Sequence, residues 1–139
     1  MRVLLPVDSD EERAIAAAEN VTTLPNAAES VHVTLLNVTR KIDVSSDSYV
    51  SSEEWYDKDE FPPSVAKAEE VLKNAGITVE KRREHAEPAK AILEVANDVD
   101  ADWIIMAGRK RTRVGKAIFG GVTQSVLLNS DIPVTVINT

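Results

Sequence analysis

The alternation of short apolar runs with longer amphipathic stretches constrains the fold of this chain more than any other feature. Five runs have the length and the β-branched or aliphatic content of strands, at residues 2–7, 31–38, 77–82, 103–107 and 133–137. Four stretches between them have helical periodicity, at residues 11–24, 64–74, 88–99 and 116–129. Parallel strands need helix-length crossovers, so this order predicts an α/β domain with a parallel sheet and helices on both faces.

Composition agrees with one globular domain over residues 1–139. The chain is 43% apolar, and no run approaches the roughly 20 apolar residues of a membrane span. It has no cysteine, which excludes disulfides, thiolate metal sites and cysteine nucleophiles. The first residues form a strand pattern rather than a secretory signal, so we expect a cytoplasmic protein.

The net charge of −7 is unevenly distributed. Residues 103–130 carry Arg109, Lys110, Arg111, Arg113 and Lys116 and no acid, so the rest of the chain carries −12. This basic segment is a candidate anion site, although a solvated basic surface has the same composition. The overall acidity argues against nucleic-acid and membrane partners.

Topology selects the segments in which a ligand site is expected. Ligands of open parallel sheets bind beyond the carboxyl ends of the strands, where the strand order reverses. The segments there are residues 6–10, 37–61, 84–88 and 108–122. Residues 40–61 form a long acidic loop with four of the six aromatic residues, and we hypothesise that it folds near the basic segment and competes with anions.

The segment after the fourth strand, residues 106–123, carries the sharpest signal for a function. It is rich in glycine and basic residues and leads into a predicted helix, a combination typical of phosphate binding. The spacing from Gly108 to Gly115 does not fit a Walker A loop, and no glycine-rich fingerprint follows the first strand.

Several motifs, in order, resemble those of the universal stress protein family over the whole chain. They are Pro6-Val7-Asp8, Leu35-Leu36-Asn37-Val38, the segment AEPAKAILEVA, Ala101-Asp102, Gly108, GGVTQSVL and the terminal IPVTVI. The resemblance implies a flavodoxin-like, Rossmann-like three-layer fold with strand order 3-2-1-4-5 and four helices. It also implies ATP binding, with Mg²⁺ as a companion ion, and a homodimer formed through the last strand.

The resemblance assigns roles to particular residues. Asp8 matches an acid at the adenine and ribose end, Val38 matches a residue whose backbone meets adenine, and residues 120–123 match those that close over the phosphates. The complete set of candidate binding residues is Pro6, Val7, Asp8, Val38, Ala107, Gly108, Arg109, Arg111, Gly120, Gly121, Val122 and Thr123. Asp8 is equally a candidate N-cap of the first helix, as are Ser9 and Asp10.

The phosphate loop departs from the family pattern Gly-x2-Gly-x9-Gly-Ser/Thr. Lys110 or Arg111 replaces the second glycine, the segment to Gly120 is one residue short, and Gly121 takes the place of the hydroxyl residue. Ala86 likewise replaces the glycine that the family has before the third long helix. Arg109 and Arg111 offer charge-assisted contacts in place of the lost donors.

Nothing in the sequence predicts catalytic or metal-ligating residues. His32 lies within a predicted strand and is interpreted as structural, while His85 follows the third strand and is a weak ligand candidate. We therefore expect a binding or regulatory module for ATP or another anionic nucleotide-like ligand. The alternatives are a slow ATP-hydrolysing or phosphotransfer enzyme of similar fold and a protein-interaction module without a ligand.

Overall fold

A computed structural model describes residues 1–40, 61–108, 111–113, 116–118 and 120–139. The elements follow one another as β1 (Arg2–Val7), α1 (Glu11–Thr22), α2 (Ala27–Ser30), β2 (His32–Arg40), α3 (Pro63–Asn74), β3 (Thr78–Ala86), α4 (Pro88–Asp98), β4 (Trp103–Gly108), β5 (Arg111–Arg113), β6 (Lys116–Ile118), α5 (Gly121–Asn129) and β7 (Val134–Asn138). Strand and helix alternate as the sequence predicts.

The main sheet has five parallel strands in the order β3-β2-β1-β4-β7. Since β7 is the fifth strand of this sheet, the predicted order 3-2-1-4-5 is confirmed. β1 lies in the centre, with Leu5 opposite Leu35 of β2 and Leu4 opposite Ile104 of β4. The strand order reverses at β1, because β2 and β3 lie on one side of it and β4 and β7 on the other.

Both faces of the sheet are buried along most of its three central strands, β2, β1 and β4. Leu5 and Leu35 pack toward α1 and α3 in one apolar layer. Leu4 and Leu36 pack toward α4 and α5 in the other. Burial on both faces explains why these strands are almost continuously apolar, as central parallel strands are.

The helices begin where the local sequence favours an N-terminus. Among the three candidates for the N-cap of α1, the structure selects Asp10, whose side chain accepts a hydrogen bond from the Arg13 backbone N–H at 2.9 Å. Proline occupies the first turn of both α3 and α4, where its missing N–H removes no helical hydrogen bond.

Two element boundaries and the number of helices differ from the prediction in ways that matter for the site or the fold. The last helix begins at Gly121 rather than at residue 116, because two consecutive glycines are poor helix formers, and the residues before them form the antiparallel pair β5–β6. β3 extends to Ala86, so His85 lies within the strand rather than after it. The four-residue α2 is too short to give a periodic signal, and the prediction of four helices therefore missed it.

None of the helices in the described ranges combines the length and the apolar character that a membrane crossing needs.

Candidate functional site

A cavity of about 200 Å³ opens at the carboxyl ends of β1, β2 and β4, where the strand order reverses. The helices α1, α4 and α5 complete its walls with residues from their first two turns. Its lining residues are Pro6, Val7, Asp8, Arg13, Ala14, Leu36, Val38, Pro88, Ile92, Met106, Ala107, Val122 and Thr123. This is the position at which open α/β sheets bind their ligands.

Much of the wall is apolar. Leu36 from β2, Ile92 from α4 and Met106 from β4 line the cavity and are each at most 5% exposed. They belong to the apolar layer between the sheet and α4, so the core itself fixes their positions. This wall suits an apolar or aromatic part of a ligand.

A polar cluster forms the β1–α1 side of the cavity. Arg13 donates from Nε and Nη2 to Oδ2 of Asp8, at 3.2 and 2.8 Å. The other oxygen of Asp8, Oδ1, accepts the backbone N–H of Asp10 at 2.9 Å. Asp8 is therefore not the N-cap of α1; it is the ion-pair partner of Arg13, with its side chain 56% exposed.

Buried side chains hold the end of β1 in place. The Asn37 side-chain amide donates to the carbonyl oxygen of Val7 at 3.1 Å. The Ser64 hydroxyl, at the start of α3, donates to the carbonyl oxygen of Asp8 at 2.5 Å. Both side chains are at most 5% exposed, so the Asp8 backbone is fixed by neighbouring elements before any ligand binds.

The amino end of α5 forms the opposite side. Gly120 is the N-cap in extended conformation and gives the helix no side-chain cap, which leaves backbone N–H groups of the first turn available. Thr123 is only 5% exposed and lines the cavity. N–H groups at the amino end of a helix carry partial positive charge, so this side suits an anion.

The structure brings seven of the twelve predicted binding residues to the cavity. These are Pro6, Val7, Asp8, Val38, Ala107, Val122 and Thr123. Gly108 is the buried end of β4, and Gly120 and Gly121 cap and begin α5. Arg111 lies in β5, while Arg109 and residues 41–60, including most of the acidic loop, lie outside the described residues.

Sequence reasoning missed six lining residues: Arg13, Ala14, Leu36, Pro88, Ile92 and Met106. Three of them carried a usable signal. Pro88 and Ile92 lie in the segment AEPAKAILEVA, one turn apart on α4, and Arg13 is a cation in a first turn that otherwise holds Glu11 and Glu12. A cation there opposes the helix dipole, which indicates a specific partner.

The histidines do not line the cavity. His85 lies in β3, and His32 begins β2 at the opposite edge of the sheet, 3.7 Å from a carboxylate oxygen of Glu80. Within the described ranges, no three His, Asp or Glu side chains gather as a metal site would require.

The order of the strands, the two helical layers and the crevice at the reversal point define a flavodoxin-like α/β domain. The chain belongs to the universal stress protein family, whose family model matches residues 1–138. The sequence resemblance is thereby confirmed.

Individual proteins are similar to this chain in part of the sequence or in fold. A segment of 51 residues, 37% of this chain, is 41% identical to the stress response protein NhaX of Bacillus subtilis (strain 168), and the match spans 31% of that protein. The universal stress protein of Archaeoglobus fulgidus in complex with dAMP has a similar fold, with a TM-score of 0.68 and 19% identity over 99% of this chain and 97% of that one. A universal stress protein in complex with cAMP gives a TM-score of 0.67 and 18% identity over 100% and 97% of the two chains.

Proposed function

We propose that this chain is a regulatory binding module that holds ATP, or another anionic nucleotide, in the cavity between β1, β2 and β4. The observation that carries the proposal is that one wall of this cavity is apolar while the side at α5 offers backbone hydrogen-bond donors. Its apolar wall faces the space that an adenine ring would need. Its α5 side offers backbone donors where phosphates would need them.

Charge supports the same orientation. The segment of residues 103–130, which contains β4, the strand pair β5 and β6, and α5, holds five cations and no acid. The β1–α1 side instead holds two acids and one cation, Asp8, Asp10 and Arg13. A polyanionic phosphate chain would therefore lie toward α5, with the sugar toward Asp8.

Two relatives of the same fold are complexes with adenine nucleotides, dAMP and cAMP. That ligand class agrees with the cavity of this chain. Mg²⁺ would arrive with the ATP phosphates, since Asp8 already accepts three hydrogen bonds from the protein.

We further propose a cytoplasmic homodimer that pairs through β7. Among the described residues, this strand is the last in the sheet and pairs with β4 alone, which leaves its other side as an open edge in that part of the chain. Leu128 on the adjacent α5 is 75% exposed, an apolar surface that a second copy would cover. Light scattering at micromolar concentration should give twice the chain mass of 15.2 kDa, and a monomeric mass would contradict the dimer.

Thermal melting with and without ATP and Mg²⁺ tests the nucleotide proposal. Ligand at about 100 times its Kd stabilises a protein by about 2.7 kcal/mol, an increase in Tm that is easily measured. Ala107→Leu places a larger side chain in the cavity and should abolish the increase. Ala66→Leu makes the same change at an exposed position of α3 and should retain it.

The other functions give different results in the same experiment. Release of ADP at a steady rate would favour the slow ATP-hydrolysing enzyme. No increase in Tm with ATP, together with no nucleotide detected by mass spectrometry in acid-treated purified protein, would favour the interaction module.

A further inference from the structure

Arg13 occupies a position that local helix energetics disfavour. It is the third residue of α1, and the partial positive charge at a helix amino end destabilises a cation there. Its neighbours Glu11 and Glu12 follow the usual preference for acids. The Arg13 side chain is nevertheless only 23% exposed and lines the cavity, so its placement depends on what it contacts.

The contacts of Arg13 fix the carboxylate of Asp8. Two guanidinium nitrogens, Nε and Nη2, donate to the same oxygen, Oδ2. Nη1 lies 3.6 Å from Oδ2 of Asp10, which ties the guanidinium to the N-cap as well. The two hydrogen bonds from the planar guanidinium to Oδ2, together with the Asp10 backbone N–H on Oδ1, leave the Asp8 carboxylate little freedom to rotate.

These contacts also use most of the hydrogen-bonding capacity of Asp8. An ionised carboxylate offers about four acceptor sites. Arg13 takes two sites on Oδ2, and the Asp10 backbone N–H takes one on Oδ1. Counting the contacts of the described residues, about one acceptor site remains for a ligand, and it belongs to Oδ1.

We propose that Arg13 is a positioning residue that restricts Asp8 to a single ligand hydrogen bond, so that the site recognises one of the two ribose hydroxyls of a nucleotide rather than both. This inference rests on the proposed function. Without Arg13, both acceptor sites of Oδ2 become available, and the carboxylate can accept from the 2′- and 3′-hydroxyls together.

A purely structural role for Arg13 predicts something different. Loss of an ion pair beside the N-cap would lower the stability of the fold and weaken the binding of every nucleotide by a similar factor. A positioning role changes the ratio of affinities between nucleotides that differ in one hydroxyl. That ratio is measured within one protein at a time, so a general loss of affinity cancels.

The experiment is isothermal titration of ATP, 2′-deoxy-ATP and 3′-deoxy-ATP into the full chain and its variants. In the wild-type chain, one deoxy analogue should bind about tenfold more weakly than ATP, the loss expected for one hydrogen bond to a charged group. The other analogue should bind within about twofold of ATP, because its missing hydroxyl makes no bond to Asp8.

Arg13→Gln should bring the Kd values of the two analogues to a ratio near one. Arg13→Lys, which keeps a cationic donor for Oδ2, should keep the order of the wild-type chain with a smaller ratio. Lys67→Gln is the matched control, because it makes the same charge change at an exposed position of α3 and should leave the ratio unchanged.

The proposal would be overturned if the ratio of the two Kd values in Arg13→Gln equalled that of the wild-type chain. It would also be overturned if both deoxy analogues bound the wild-type chain more weakly than ATP by the same factor. If ATP itself fails to bind the wild-type chain at millimolar concentration, the proposed function is refuted first, and the role of Arg13 falls with it.

Discussion

Gly121→Ser should tighten the binding of triphosphates without destabilising the fold. Gly121 is the first residue of α5, on the phosphate side of the proposed site. In the family pattern this position carries Ser or Thr. A Cβ built on Gly121 meets no atom within 4 Å in the described structure, so a side chain fits without rearrangement.

The expected magnitudes follow from this geometry. Replacing glycine in a helical position by a residue that fits without strain stabilises a protein by about 0.5 kcal/mol, mainly through the unfolded chain. For a domain of this size that raises Tm by about 2 °C. A hydroxyl that donates to a phosphate oxygen contributes about 1.5 kcal/mol, so the Kd for ATP should fall about tenfold.

Gly121→Ala separates the two effects. It gives the same or a slightly larger gain in the free energy of unfolding, but it adds no donor. Urea unfolding should show that both variants are more stable than the wild-type chain. Calorimetric titration with ATP and with adenosine should show that only the serine variant binds ATP more tightly. If Gly121→Ala lowers the Kd for ATP as much as Gly121→Ser does, or if Gly121→Ser also lowers the Kd for adenosine, the assignment of this end of the cavity to phosphate is refuted.

Three further substitutions test the local structure, two beside the site and one at the opposite edge of the sheet, and each is measured by urea unfolding. Asp10→Ala removes the N-cap of α1 and should lower the free energy of unfolding by about 1 kcal/mol; no change would contradict the cap. Gly76→Ala should cost about 1–2 kcal/mol, because φ is +78° and the new Cβ would lie 3.3 Å from a neighbouring side chain, whereas Gly121→Ala should cost nothing. Ser64→Ala leaves the carbonyl of Asp8 without its buried donor, so it should lower the free energy of unfolding by about 1–3 kcal/mol and weaken the binding of ATP. A change below about 0.5 kcal/mol would show that water replaces the hydroxyl.

The sheet was predictable from the sequence because the apolar composition of its central strands indicates that they are buried. The runs that form β1 and β4 are apolar at nearly every position, as only strands covered on both faces are. The β3 strand is charged along most of its length, so its extension to Ala86 depends on pairing with β2 rather than on its own sequence. The pairing of β5 with β6 before α5 likewise depends on tertiary contacts, which the hydrophobic periodicity of the sequence does not indicate.

Part of the site followed from topology alone. Asp8, Val38 and Ala107 end or follow three adjacent strands, and parallel strands bring their carboxyl ends to one edge. Ile92 and Met106 were missed because they have the pattern of core residues, and only the structure shows that the same core layer borders the cavity. The ion pair between Arg13 and Asp8 depends on side-chain direction, which spacing does not determine.

An amide NMR titration with ATP shows directly whether the cavity at the carboxyl edge of the sheet binds a nucleotide. Binding there should concentrate the chemical-shift changes at Asp8, Val38, Ala107 and Thr123, which surround the cavity. Changes confined to the opposite edge, at residues such as Arg2 and His32, or no changes at millimolar ATP, would contradict it.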